Sequence, residues 1–159
     1  MKYIAKSKLG WDHTPYWDYL ESVKRLMPAN MHAFASNSEN HDLASPNSLH
    51  DSWLEYWKVS EILTAERGDR ATQIDVCLLG PRHDRYIHLT YLNVEKHGIR
   101  GTSAAIVGPR KTPHGDLSVH ELAIVRENLF SHELVFSKGA TFSVEFTDFD
   151  HRIELRPGT

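Results

Sequence analysis

LSVHELAIVRENLFSHELVFSKGATFSVEF, residues 117–146, is the stretch on which the fold turns. Three runs of alternating apolar and polar residues, 117–125, 129–137 and 141–146, are separated by Arg126-Glu127-Asn128 and by Lys138-Gly139. Strands joined by so few residues can only be neighbours in an antiparallel meander. Successive side chains of a strand point to opposite faces. One face of 129–137 therefore carries Phe130, His132, Leu134 and Phe136, and the other carries Leu129, Ser131, Glu133 and Val135. His120, Leu122 and Ile124 share a face, as do Phe142, Val144 and Phe146 opposite Ser143 and Glu145. The meander thus has an apolar side, and His120 and His132 fall on it.

Outward from this stretch, residues 151–155 read as a continuation of the last strand past a kink at Asp148-Phe149-Asp150. Upstream, 53–63, 72–79 and 86–94 read as strands, with turns at 67–70, at Gly80-Pro81 and at Lys96-His97-Gly98. Residues 98–116 lack a period and are punctuated by four glycines, with Gly98 at the start, and by two prolines. They read as a long loop or an inserted hairpin around 104–107, of a length that is often functional.

The region before residue 48 reads as helical. Thr14 stands as an N-cap with Pro15 at the first helical position, where its missing N–H costs nothing. Tyr16, Trp17, Leu20, Val23 and Leu26-Met27 recur at steps of three and four, and Pro28 opens a second helix through Met31 to Ala35. The expected architecture is one α+β domain, 1–159. Helices from region 1–47 pack on an antiparallel sheet of about five to seven strands from region 48–159.

Composition narrows the function. A net charge of −3 provides no basic footprint for nucleic acid. No apolar stretch approaches the length of a membrane span, and residues 1–6 lack the apolar run of a secretory leader, so the cytoplasm is expected. The single cysteine, Cys77, lies in an apolar run and reads as a core residue; no thiolate zinc site can form. The aromatic groups Trp11, Tyr16, Trp17, Tyr19 and Trp53, Tyr56, Trp57 read as core, or in part as an interface.

Eleven histidines are scattered along the chain. His50-Asp51, His83-Asp84 and Asp150-His151 are adjacent pairs of the kind metal-dependent phosphohydrolases use, but here the helical context of those enzymes is missing. No phosphate loop, dinucleotide fingerprint or nucleophile elbow is present. An enzyme or a ligand- or metal-binding domain would require His50, Asp51, His88, His120 and His132 to converge on one pocket. Otherwise each is a structural histidine with its own partner.

Ser48-Leu49-His50-Asp51-Ser52 resembles the L-H-D-[SA] opening of small bacterial proteins, some of them classed as polymorphic-toxin immunity proteins. In those families the motif starts the first strand of an antiparallel sheet, and a later strand resembles Arg85-Tyr86-Ile87-His88-Leu89-Thr90-Tyr91-Leu92-Asn93-Val94. The resemblance spans 48–94 and, more loosely, 117–155. It implies a non-catalytic protein, without cofactor, that binds and neutralises a bacterial toxin enzyme. His50 and Asp51 would then be structural, pinning the chain where it joins the sheet. The expected partner surface is an exposed apolar or acidic patch, with contacts in the 98–116 loop and nearby turns.

Overall fold

The computed structural model describes residues 1–8, 10–64, 68–101 and 112–158. In chain order these form β1 (Ala5–Ser7), β2 (Gly10–Asp12), α1 (Thr14–Val23), α2 (Ala29–Ser36), β3 (Trp53–Leu63), β4 (Arg70–Leu79) and β5 (Arg85–Leu92). They continue with β6 (Lys96–Arg100), β7 (Leu117–Arg126), β8 (Leu129–Phe136), β9 (Thr141–Phe146) and β10 (Asp148–Leu155).

All strand pairs are antiparallel, but they do not make one sheet. The order β10-β5-β4-β3 forms one four-stranded sheet, β6-β9-β8-β7 a second, and β1-β2 a short ribbon. The expected α+β arrangement, helices over a single sheet of about five to seven strands, is therefore overturned: about half of the chain is strand and only 15% helix. The decisive departure is β10. Instead of extending the meander it pairs with β5 from Asp148↔Leu92 to Leu155↔Arg85, after Thr147 N donates to Leu92 O. The edge of β9 is taken instead by β6, whose pairing there replaces the expected turn at 96–98. The hairpin expected at 104–107 lies outside the described residues.

Two half-apolar sheets can bury each other, so helices are not needed to cover either face. Ile74, Val76, Leu78, Ile87, Leu89 and Tyr91 of the first sheet share one buried cluster with Leu122, Phe130, Leu134, Phe136, Phe142 and Phe146 of the second. Tyr91 packs edge-on against Phe146 with centroids 4.9 Å apart, and Trp57 against Phe142 at 5.1 Å. α2 fills the remaining space, where the Phe34 ring touches Phe149, His120 and His132.

α1 serves a different purpose. The expected N-cap moves back by one: His13 is the N-cap, Thr14 is the first helical residue and Pro15 follows, because the first turn is held by Asp12 Oδ1, which accepts from Thr14 N at 3.0 Å. That bond holds the Asp12 carboxyl below its ordinary range. The helix ends at Val23, short of Leu26, which is left exposed. Its tyrosines close the free edge of β7. The Tyr16 hydroxyl donates to Leu122 O at 2.9 Å and accepts from Leu122 N at 3.0 Å, and Tyr19 Oη accepts from Ile124 N at 2.7 Å. On the same strand the buried Glu121 carboxylate accepts the N–H groups of Lys2, Tyr3 and Ile4. Among the described residues no helix is long and apolar enough to cross a membrane.

Candidate functional site

The motif residues form a tight turn immediately before β3. Asp51 takes a left-handed conformation, φ 63. Ser52 Oγ donates back to Leu49 O, and His50 N donates to Ser48 Oγ. His50 Nδ1 lies 2.9 Å from Asp51 Oδ1, an ion-pair contact rather than an aligned hydrogen bond. The turn bridges the two sheets, because Asp51 N donates to Leu117 O and Leu117 N donates to Ser52 O. Its inner side is tied to one carbonyl: Asn40 O accepts from Leu49 N at 3.0 Å and from Ser48 Oγ at 3.4 Å.

The same carbonyl terminates a buried polar column. His120 Nε2 lies 3.3 Å from Asn40 O, His120 Nδ1 3.1 Å from His132 Nε2, and His132 Nδ1 2.7 Å from Tyr91 Oη. The proton positions follow from the ends. A carbonyl only accepts, so His120 Nε2 carries the hydrogen and a neutral His120 Nδ1 accepts. His132 Nε2 must then donate, leaving His132 Nδ1 to accept from the Tyr91 hydroxyl. Every group is satisfied with both rings neutral. Burial is the main cause that pushes His120 well below the ordinary imidazole range and His132 down to about 3. It also holds Tyr91 well above the phenol range. With both imidazole lone pairs engaged inside the column, neither ring is free to act as a base on a substrate.

His41 stacks on His120 with centroids 4.3 Å apart and planes 11° from parallel. Its Nε2 meets Ala35 O at 3.1 Å, and burial pushes its pKa down to about 4. His41 also lines a cleft of about 440 Å³ together with Gly10, Trp11, His13, Asp42, Leu43 and His50. His13 is also held low by burial, against a backbone hydrogen bond with Trp11 and the Asp12 carboxylate, which both favour its protonated form.

The expected convergence is thus partial. His120 and His132 touch, while His50 lines the cleft that His41 also borders. His88 belongs elsewhere. It projects from the outer face of the first sheet, 3.4 Å from Glu154 Oε2, in a concavity of about 320 Å³ shared with Glu55, Tyr56, Cys77 and Tyr86. Among the described residues no group of three or more His, Cys, Asp or Glu side chains could hold a metal ion. Cys77 is a thiol, not a nucleophile in waiting: burial, then Glu55 and Glu154, push it up to about 11.

One further surface stands out. β3 is eleven residues long and forms an outer edge of its sheet, and Tyr56, Val59 and Leu63 on it are exposed. Sequence reasoning singled out Trp53, Tyr56 and Trp57 on this strand as core or in part interface but missed His13, His41, Asn40 and Tyr91. These are joined to the histidines by folding alone, with no spacing to betray them. Comparison with family models, with curated proteins and with solved structures finds no match to this chain.

Proposed function

We propose that this chain is a cytoplasmic, non-catalytic protein-binding domain of the immunity type, which neutralises a bacterial toxin enzyme by docking through β3 and the adjoining outer face. The observation that carries this reading is the contrast between the two edges. Natural proteins blunt exposed strand edges because unpaired N–H and C=O rows recruit other chains. Here the edge of β7 is closed by Tyr16 and Tyr19, whereas among the described residues no strand lies alongside the far edge of β3. An extended segment added there would gain main-chain bonds for affinity and the exposed Tyr56, Val59 and Leu63 for selectivity.

The test is co-expression in bacteria with the toxin enzyme encoded beside this chain. Protection of the host, and its loss in a Tyr56→Asp, Val59→Lys, Leu63→Lys variant that still folds, are the expected results. Protection by neither protein, or equal protection by both, would overturn the reading. A second reading, a ligand-binding domain that uses histidine, is favoured by the three imidazoles of the 440 Å³ cleft. His13→Ala with His50→Ala separates the two: the first reading expects protection to survive it.

A further inference from the structure

The outer face of the first sheet carries a concavity whose chemistry is anionic and aromatic. Cross-strand register sets Tyr56 beside Cys77, Cys77 beside His88, and Tyr86 beside Glu154. A break in register between Leu54 and Tyr56 inserts Glu55 as an extra residue, so Glu55 and Tyr56 both reach the same hollow. Bulges of this kind re-aim side chains. The result is a hollow of about 320 Å³ with Cys77 and His88 lining it, two phenol rings, and two carboxylates.

The charges in this hollow are not fully compensated. Glu154 shares Arg152 Nη1 at 2.9 Å, but Glu55 has no ion-pair partner among the described residues. His88 adds no positive charge, because burial, and then Arg152, hold it below the ordinary imidazole range. That both carboxylates act on the hollow is seen at Cys77, where Glu55 and Glu154 each disfavour the thiolate. Asp75 lies on the same face and also disfavours ionisation of Tyr56.

We propose that this hollow is a binding site for a guanidinium group, the side chain of an arginine on a protein partner. Guanidinium matches the hollow in three respects. It is planar and stacks on tyrosine, it forks onto carboxylates, and it keeps its charge when partly desolvated. Ammonium satisfies only the charge. The site deepens the reading above, on which the word partner rests, and it adjoins the β3 edge, so one segment could pair with the strand while its arginine fills the hollow.

The experiment uses the full chain and N-acetyl-arginine amide, followed by NMR at Tyr56, Cys77, Tyr86 and His88. N-acetyl-citrulline amide, the same shape without the charge, is the control. Saturable shifts at these residues with the arginine probe alone are expected, weakened at least tenfold in a Glu55→Gln, Glu154→Gln variant. Both glutamates are at the surface, and an unchanged thermal midpoint verifies the fold. No saturable shift, equal response to citrulline, or undiminished binding by the variant would each overturn the site. If the arginine probe saturates but no toxin is neutralised, the hollow stands and only the partner assignment falls. If the variant still protects the host as well as the parent, the hollow falls and the docking reading stands.

Discussion

Asp51 holds a conformation that most L-residues avoid, and the reason for its identity lies there more than in its charge. At φ 63 a Cβ crowds the following carbonyl, at a cost of about 1–2 kcal/mol for residues other than Gly, Asn and Asp. Its contact with His50 is half exposed, and ion pairs of that kind contribute about 0–1 kcal/mol. The two explanations make different demands. Asp51→Gly removes the carboxylate but keeps the turn, whereas Asp51→Ala removes both. We expect urea unfolding to place the alanine variant about 1 kcal/mol below the glycine variant. Equal losses would mean that the imidazole–carboxylate contact, not the backbone, holds the turn that joins β3 to β7.

At the scale of elements, the treatment of the two edges is the property to test. Tyr16 is fully buried and its hydroxyl is the partner of both polar groups of Leu122. Tyr16→Phe strands an N–H and a C=O, for an expected loss of about 1–3 kcal/mol. Native-state hydrogen exchange should show the Leu122 and Ile124 amides protected in the parent and Leu122 released in the variant. Alternate amides along β3, which point away from β4, should exchange fast in both. Slow exchange all along β3 would contradict an open edge. Much of this layer was legible in the sequence. The span 53–63 is β3 and 141–146 is β9, because alternation and turn residues mark a strand locally. The sheet to which a strand belongs is not local. Residues 148–155 carry the alternation of a strand whether they extend the meander or cross to β5, so β10 could not be placed and one sheet was expected in place of two. β1 and β2 are three residues each, too short for any period to register. The faces of His120 and His132 followed from parity. Their union with His41, Asn40 and Tyr91 depends on α2 and β5 arriving from distant parts of the chain.

For the whole molecule, the histidine column makes acid the natural stress. His41, His120 and His132 are neutral in the fold, and among the described residues no carboxylate is hydrogen-bonded to any of the three; their partners are Ala35 O, Asn40 O, Tyr91 and, for His120 and His132, each other. Protonating His120 at Nδ1 would set N–H against N–H or force a change of tautomer along the column, and protonating His132 at Nδ1 would turn the Tyr91 hydroxyl from donor to acceptor and leave its buried hydrogen without the ring nitrogen. Burial accordingly pushes His41 down to about 4 and His132 to about 3, against roughly 6.5 in an unfolded chain. The sign follows. Above about pH 6.5 both states hold neutral imidazoles and the full stability is present. As pH falls below that value the unfolded chain binds protons that the folded chain refuses, so stability declines, and it goes on declining until the folded-state values near 4 and 3 are reached. Each such histidine contributes a slope of about 1.4 kcal/mol per pH unit inside this window. The lowered carboxyls of Asp12 and Asp84 act the same way, but only below about pH 4, where an unfolded carboxyl titrates. Urea unfolding between about pH 7.5 and pH 4.5 therefore isolates the imidazoles. We expect a plateau above neutrality, then a fall steeper than one histidine can supply, and a shallower fall in His41→Gln, which keeps the His120–His132 pair but removes one titrating ring. A profile that stayed level down to pH 5 would show that the buried rings take up protons freely, and that the column is not the neutral, saturated chain of bonds described above.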